Sequence, residues 1–163
     1  MRNAKRWGVE GLLPDTVETL PIILDVGTNN PGLLADPEYL GWRHERVTGD
    51  DYDAFVEQVV NELSASFPGV LLQWEDFAQH NATRLLDRYR DRLLSFNDDI
   101  QGTAAVAVSA IWGALRTAGR DLASERFVIA GAGSAGTGIA DMIRAALEAE
   151  GVESPLEQIF LVG

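Results

Sequence analysis

Two pairs of adjacent acids could do chemistry together, Glu75-Asp76 and Asp98-Asp99. Carboxylates are hard oxygen ligands, and three of these four with water and substrate would suit Mg2+ or Mn2+. Spacing alone admits another reading, in which Asp76 caps a helix over 78–94 and Asp99 caps one over 103–118. Farther along, Gly131-Ala132-Gly133-Ser134-Ala135-Gly136 fits G-x-G-x-x-G. In that pattern Gly131 allows the tight turn and Gly133, without a Cβ, lets a pyrophosphate reach the backbone. Gly136 lets the following helix lie close to the strand, and the helix N-terminus offers free N–H groups to phosphates. A purely structural glycine turn is the alternative. A cation beside a hydride acceptor is the arrangement that oxidises a hydroxy acid and polarises the resulting ketone.

These residues need a frame. Leu20–Val26 is a short apolar run, read as a buried strand, and 27–32 is loop chemistry. A helix is expected over 50–67, with Phe55, Val59, Leu63 and Phe67 on one face and Thr48 placed three before Asp51 in the manner of a capping box. Val70–Trp74 reads as a second strand ending at the first acid pair. The next helix carries Ala82, Leu85, Leu86, Tyr89 and Leu93 on one face and arginines on the other, and 95–99 breaks it. The run 104–118 is almost uncharged and reads as a helix packed on most sides, stopped by Gly119. Phe127–Ala130 is a strand feeding the glycine turn, 139–150 a helix, and Ile159–Val162 a last strand. Strands alternating with helices predict an α/β fold with parallel sheets, whose strand ends share one ligand-binding rim. The domain boundary is expected near 99–104: residues 1–102 form part of one α/β domain, and 103–163 begin a Rossmann dinucleotide-binding domain.

Composition narrows the partners. The 163 residues hold 25 Asp and Glu against 13 Lys and Arg, a net charge of −12. Such a surface repels nucleic acid and anionic membranes, although acidity also serves solubility alone. There is no cysteine, which excludes disulfides and thiolate sites, and the two histidines make a His-rich zinc site unexpected. No apolar run approaches the ~20 residues of a membrane span. The basic start at Met1–Arg6 lacks the apolar stretch of a signal peptide, so a cytoplasmic protein is expected. His44 and His80 would matter only in a different type of α/β dehydrogenase.

Five segments together resemble the malic enzymes: LPIILDVGTNN (20–30), GWRHERV (41–47), LLQWEDFAQHNATRLLDRYRD (71–91), FNDDIQGTAAVAV (96–108) and GAGSAGTGIA (131–140). The likeness covers about residues 11–162. It implies oxidative decarboxylation of (S)-malate to pyruvate and CO2, with NAD or NADP and with Mg2+ or Mn2+. Malolactic enzymes are similar over the same motifs, and a non-catalytic dinucleotide-binding or assembly module is a further alternative. By resemblance Glu75, Asp76 and Asp99 are the metal carboxylates. Thr103, Gly131, Gly133, Ser134, Ala135 and Gly136 line the dinucleotide.

The acidic residue expected after the second strand of a dinucleotide fingerprint is here Gly163, so the sequence does not distinguish NAD from NADP. The resemblance also implies a catalytic Tyr, a malate-binding Arg and a catalytic Lys in a K-L-x-L-Y segment. None of these motifs occurs in the 163 residues, and Arg2 and Lys5 stand only near the place expected for the Lys. The chain on its own is therefore expected to be inactive, and to depend on the missing parts of the enzyme or on self-association into a homo-oligomer.

Overall fold

The computed structural model describes residues 19–163, so Arg2 and Lys5 lie outside the described residues. The chain divides into two units, Met1–Asn61 and Glu62–Gly163.

In the first unit, α1 (Pro31–Ala35) is a short helix capped by the Asn30 side chain. The apolar run Leu20–Val26 is not a strand. A strand exists only with a ladder, and among the described residues this segment shares one backbone bond with the stretch after Trp42, Val47 N–H to Val26 O, with Thr28 N–H to His44 O just beyond its end. Ile23 consequently stands 92% exposed. What orders the segment is Asp25, whose carboxylate accepts from the backbone of Trp42 at 2.6 Å and of Gly27 at 2.9 Å. Those bonds, Trp42 first, hold its carboxyl below the usual range.

Helix α2 (Gly49–Ser66) occupies the expected span, but it buries Tyr52, Val56 and Val60. The stripe Phe55, Val59, Leu63, Phe67 has the same four-residue step one residue out of phase, and Phe67 lies exposed beyond the helix end. Spacing of four gives a helix, not which of two adjacent apolar stripes faces inward.

The second unit consists of two βαβ arrangements in series. In the first, β1 (Leu72–Trp74) pairs parallel with β2 (Ser95–Asn97), and α3 (Gln79–Tyr89) is the crossover. Helix α3 ends earlier than residue 94, because the Leu94 carbonyl accepts from Leu72 N–H and the chain is already entering the sheet. Tyr89, wholly buried, stacks on Trp74 with ring centroids 5.6 Å apart and ties α3 to β1. A π-helical turn at Asp98–Gly102 then leads into α4 (Thr103–Ala118), which Gly119 closes with φ of 65°.

In the second arrangement, β3 (Phe127–Ala130) pairs parallel with β4 (Ile159–Val162), and α5 (Ser134–Ala149) is the crossover. Helix α5 begins inside the glycine motif, five residues earlier than expected. Val108 of α4 and Ile143, Ala146 and Leu147 of α5 form the core of this half with Leu122. Helix α4 is not packed on most sides. It buries Ala104 and Val108, while Val106 and Trp112 are 72% and 42% exposed. The missing charge in this helix reflects composition, not enclosure, among the described residues. No helix among them is long and apolar enough to cross a membrane.

Candidate metal and dinucleotide site

Strand register brings the acids together. Trp74 pairs with Asn97 across the first sheet. The next residues, Glu75-Asp76 and Asp98-Asp99, therefore leave neighbouring strands at the same end, only ~4.8 Å apart in the pairing direction. One carboxylate oxygen from each of Glu75, Asp76 and Asp99 lies within 4.8 Å of the others.

The local backbone supports the convergence. Asp76 has φ of 60°, the one non-glycine residue with positive φ among the described residues. Aspartate tolerates this conformation better than most side chains, at a cost of roughly 1 kcal/mol. The bend lets Asp76 N–H donate to Asp99 Oδ2 at 3.0 Å. Burial pushes the Glu75 carboxyl above its ordinary range. The Gln73 amide, donating at 3.1 Å, draws it back, and the charges of Asp99 and Asp98 raise it further.

Neither acid serves as a helix cap. Ala78 occupies the N-cap of α3 and Gly102 that of α4, both without a side-chain cap bond. The capping residue here is Asn97, whose side chain accepts from Ile100 N–H and starts the π-turn. Three carboxylates in mutual reach, in no ion pair among the described residues and with neither Asp capping a helix, could hold a small divalent cation.

The glycine turn is arranged by absences. Gly131 has φ of 114° and donates its N–H to Val162 O at 2.6 Å, so the turn closes over the end of β4. A Cβ on Gly136 would overlap the Gly131 carbonyl, whereas one on Gly133 would meet nothing within 4 Å. The turn is thus tight beneath Gly136 and open above Gly133. Gly133 caps α5 with no side chain bonded to the first N–H groups, and Ser134 and Ala135 follow as its first turn. Thr103 is exposed at the start of α4, a helix that packs on α5. Gly163 lies beside Ala132. Both histidines are exposed, and His44 stacks on Trp42 in the first unit.

Three residues of this region were not singled out from sequence. A Cβ on Gly138 would stand 2.5 Å from the Ile100 carbonyl, so this glycine brings α5 against the π-turn. Asn97 is fully buried, and Gln101 returns to bond its backbone. An Asn three residues before Ile100 is a cap signature that could have been read. Gly138 carries no local signal, because its reason lies in another element.

Two family models match the chain, "Malic enzyme, N-terminal domain" over residues 9–90 and "Malic enzyme, NAD binding domain" over residues 100–162. The chain belongs to the malic enzyme family. A NAD-dependent malic enzyme of Vibrio parahaemolyticus is 55% identical over 146 residues, covering 88% of this chain and 26% of its own length. The NAD-dependent malic enzyme of Pectobacterium atrosepticum is 54% identical over the same shares. Among solved structures, Entamoeba histolytica malic enzyme matches with TM-score 0.53 and 33% identity, over 60% of this chain and 20% of that one. The NAD-dependent malic enzyme of Thermotoga maritima matches with TM-score 0.53 and 26% identity, over 63% and 27%. The chain therefore spans about a quarter of the length of the curated malic enzymes it matches.

Proposed function

We propose that this chain carries the divalent-metal ligands and the dinucleotide turn of an NAD-dependent malic enzyme, which converts (S)-malate to pyruvate and CO2 in the cytoplasm. Residues 1–102 contribute to the substrate and metal domain, and 103–163 to the Rossmann domain. The observation that carries this reading is the meeting of Glu75, Asp76 and Asp99 within 4.8 Å, in a chain of this family. NAD rather than NADP follows the names of the relatives.

Glu75, Asp76 and Asp99 hold Mg2+ or Mn2+ through carboxylate oxygens. When bound, the cation supplies Lewis acidity to malate oxygens, and NAD supplies the hydride acceptor. Asp99 is kept in place by the Asp76 N–H. Gly131 and Gly136 fix the bend, Gly133 leaves room for phosphate oxygens, and the open N-terminus of α5, with Ser134 and Ala135, faces them. Thr103 lines the same cofactor from α4.

These residues bind and orient. The proton-transfer groups implied by the family do not occur in them, so the 163 residues bind Mn2+ without turning over malate. Calorimetric titration of the purified chain with MnCl2 tests the first part, and a flat titration would refute the metal assignment. Malate-dependent NADH formation by the chain alone would overturn the second.

A further inference from the structure

Asp99 reaches the metal cluster from a π-helical turn, a geometry uncommon in proteins and frequent at functional sites. What closes the turn is a pair of amides. Asn97 Oδ1 accepts from Ile100 N–H at 3.0 Å, and Asn97 N–H donates to Gln101 Oε1 at 3.0 Å. Both bonds bridge across Asp98 and Asp99. On the outer side the turn cannot swell, since the Ile100 carbonyl already abuts Gly138 of α5. On the inner side the Asp99 carboxylate is held by Asp76 N–H. Asn97 Nδ2 is buried without a partner among the described residues, so the oxygen is the end of this amide that the turn uses.

We propose that Asn97 and Gln101 are positioning residues that stiffen the carboxylate cluster and thereby make it select Mg2+ and Mn2+ over Ca2+. The inference rests on the metal reading above and adds the basis of its selectivity. Mg2+ takes oxygen at about 2.0–2.1 Å in near-octahedral geometry, while Ca2+ needs about 2.3–2.6 Å and more ligands in a flexible shell. An Asp99 that cannot retreat penalises the larger ion. Freeing the turn relaxes that penalty but loosens the site as well, so the two effects offset for Ca2+, while the smaller ion only loses its preorganisation.

The test is calorimetry on the full 163-residue chain, titrated separately with MnCl2 and CaCl2, for wild type, Gln101→Met and Gln101→Glu. Methionine keeps the length and loses the acceptor; glutamate keeps the acceptor. We expect wild type to prefer Mn2+ by at least about tenfold, and Gln101→Met to lose Mn2+ affinity by about tenfold, the lower end for a supporting residue. Its Ca2+ affinity should change less than about twofold, so the ratio collapses. Glutamate shifts both ions together by its charge and preserves the ratio. If wild type binds no Mn2+, the metal reading fails and this inference with it. If wild type binds Mn2+ but Gln101→Met keeps the Mn2+/Ca2+ ratio, or loses both ions equally, the selectivity role is refuted and the metal reading stands. Should Gln101→Met fail to fold by circular dichroism, the wild-type ratio still decides: equal affinity for the two ions overturns the proposal.

Discussion

The two βαβ arrangements of the second unit put their proposed ligand-binding turns in the same place by opposite means. After β1 and β2 the rim is crowded with carboxylates, and the side chains do the work. After β3 the rim is stripped of side chains, and the backbone does it. The first pays in desolvation and then in repulsion between like charges, both seen in the raised Glu75 carboxyl. The second gives up the restraint that side chains impose on a chain, which makes its glycines conformationally expensive to order. A charged site should therefore tolerate substitution in its fold and fail in its ligand. A bare site should fail in its fold wherever a Cβ has no room.

The sharpest break in that contrast is Gly136→Ala. Its Cβ would overlap the Gly131 carbonyl, so stability in denaturant titration should drop by about 3 kcal/mol and NAD binding disappear. Asp99→Ala is the charged counterpart. Mn2+ affinity by calorimetry should fall about a hundredfold or more, with unfolding free energy changed by less than about 1 kcal/mol. An unchanged Mn2+ affinity would deny Asp99 its role.

Gly133→Ala separates the two kinds of glycine. Its Cβ meets nothing within 4 Å, so stability should hold within about 0.5 kcal/mol while NAD binds roughly tenfold more weakly in a fluorescence titration. A stability loss as large as that of Gly136→Ala would erase the distinction. Glu75→Gln should give the smallest effect, a gain in metal-free stability below about 1 kcal/mol at neutral pH, because the group is exposed. The raised carboxyl binds a proton more tightly in the folded chain than in the unfolded one. Wild-type stability should thus rise as pH falls through the raised value and level off below the ordinary carboxylate range. Glu75→Gln removes that slope, which thermal melts across pH would show.

The same contrast explains what could be read from sequence. The glycine turn and the long helices carry local signals, and α3 buries Ala82, Leu85, Leu86 and Tyr89 as its spacing predicts. The acids were legible as a cluster, but only register decided between capping and convergence, and register belongs to two strands at once. β2 was missed because Ser95-Phe96-Asn97 has no pattern of its own and becomes a strand by pairing with β1. Leu20–Val26 failed the other way, an apolar run with no ladder to join. The uncharged α4 misled because helix composition does not report how many neighbours will cover it.

Val106 and Trp112 on α4, with Phe160, Leu161 and Val162 on β4, are exposed apolar side chains on a chain of net charge −12. That charge opposes the approach of separate molecules. Near pH 4.4, where it vanishes, such surfaces meet without repulsion. Acidification or high salt should then turn a clear preparation of this chain turbid before it unfolds.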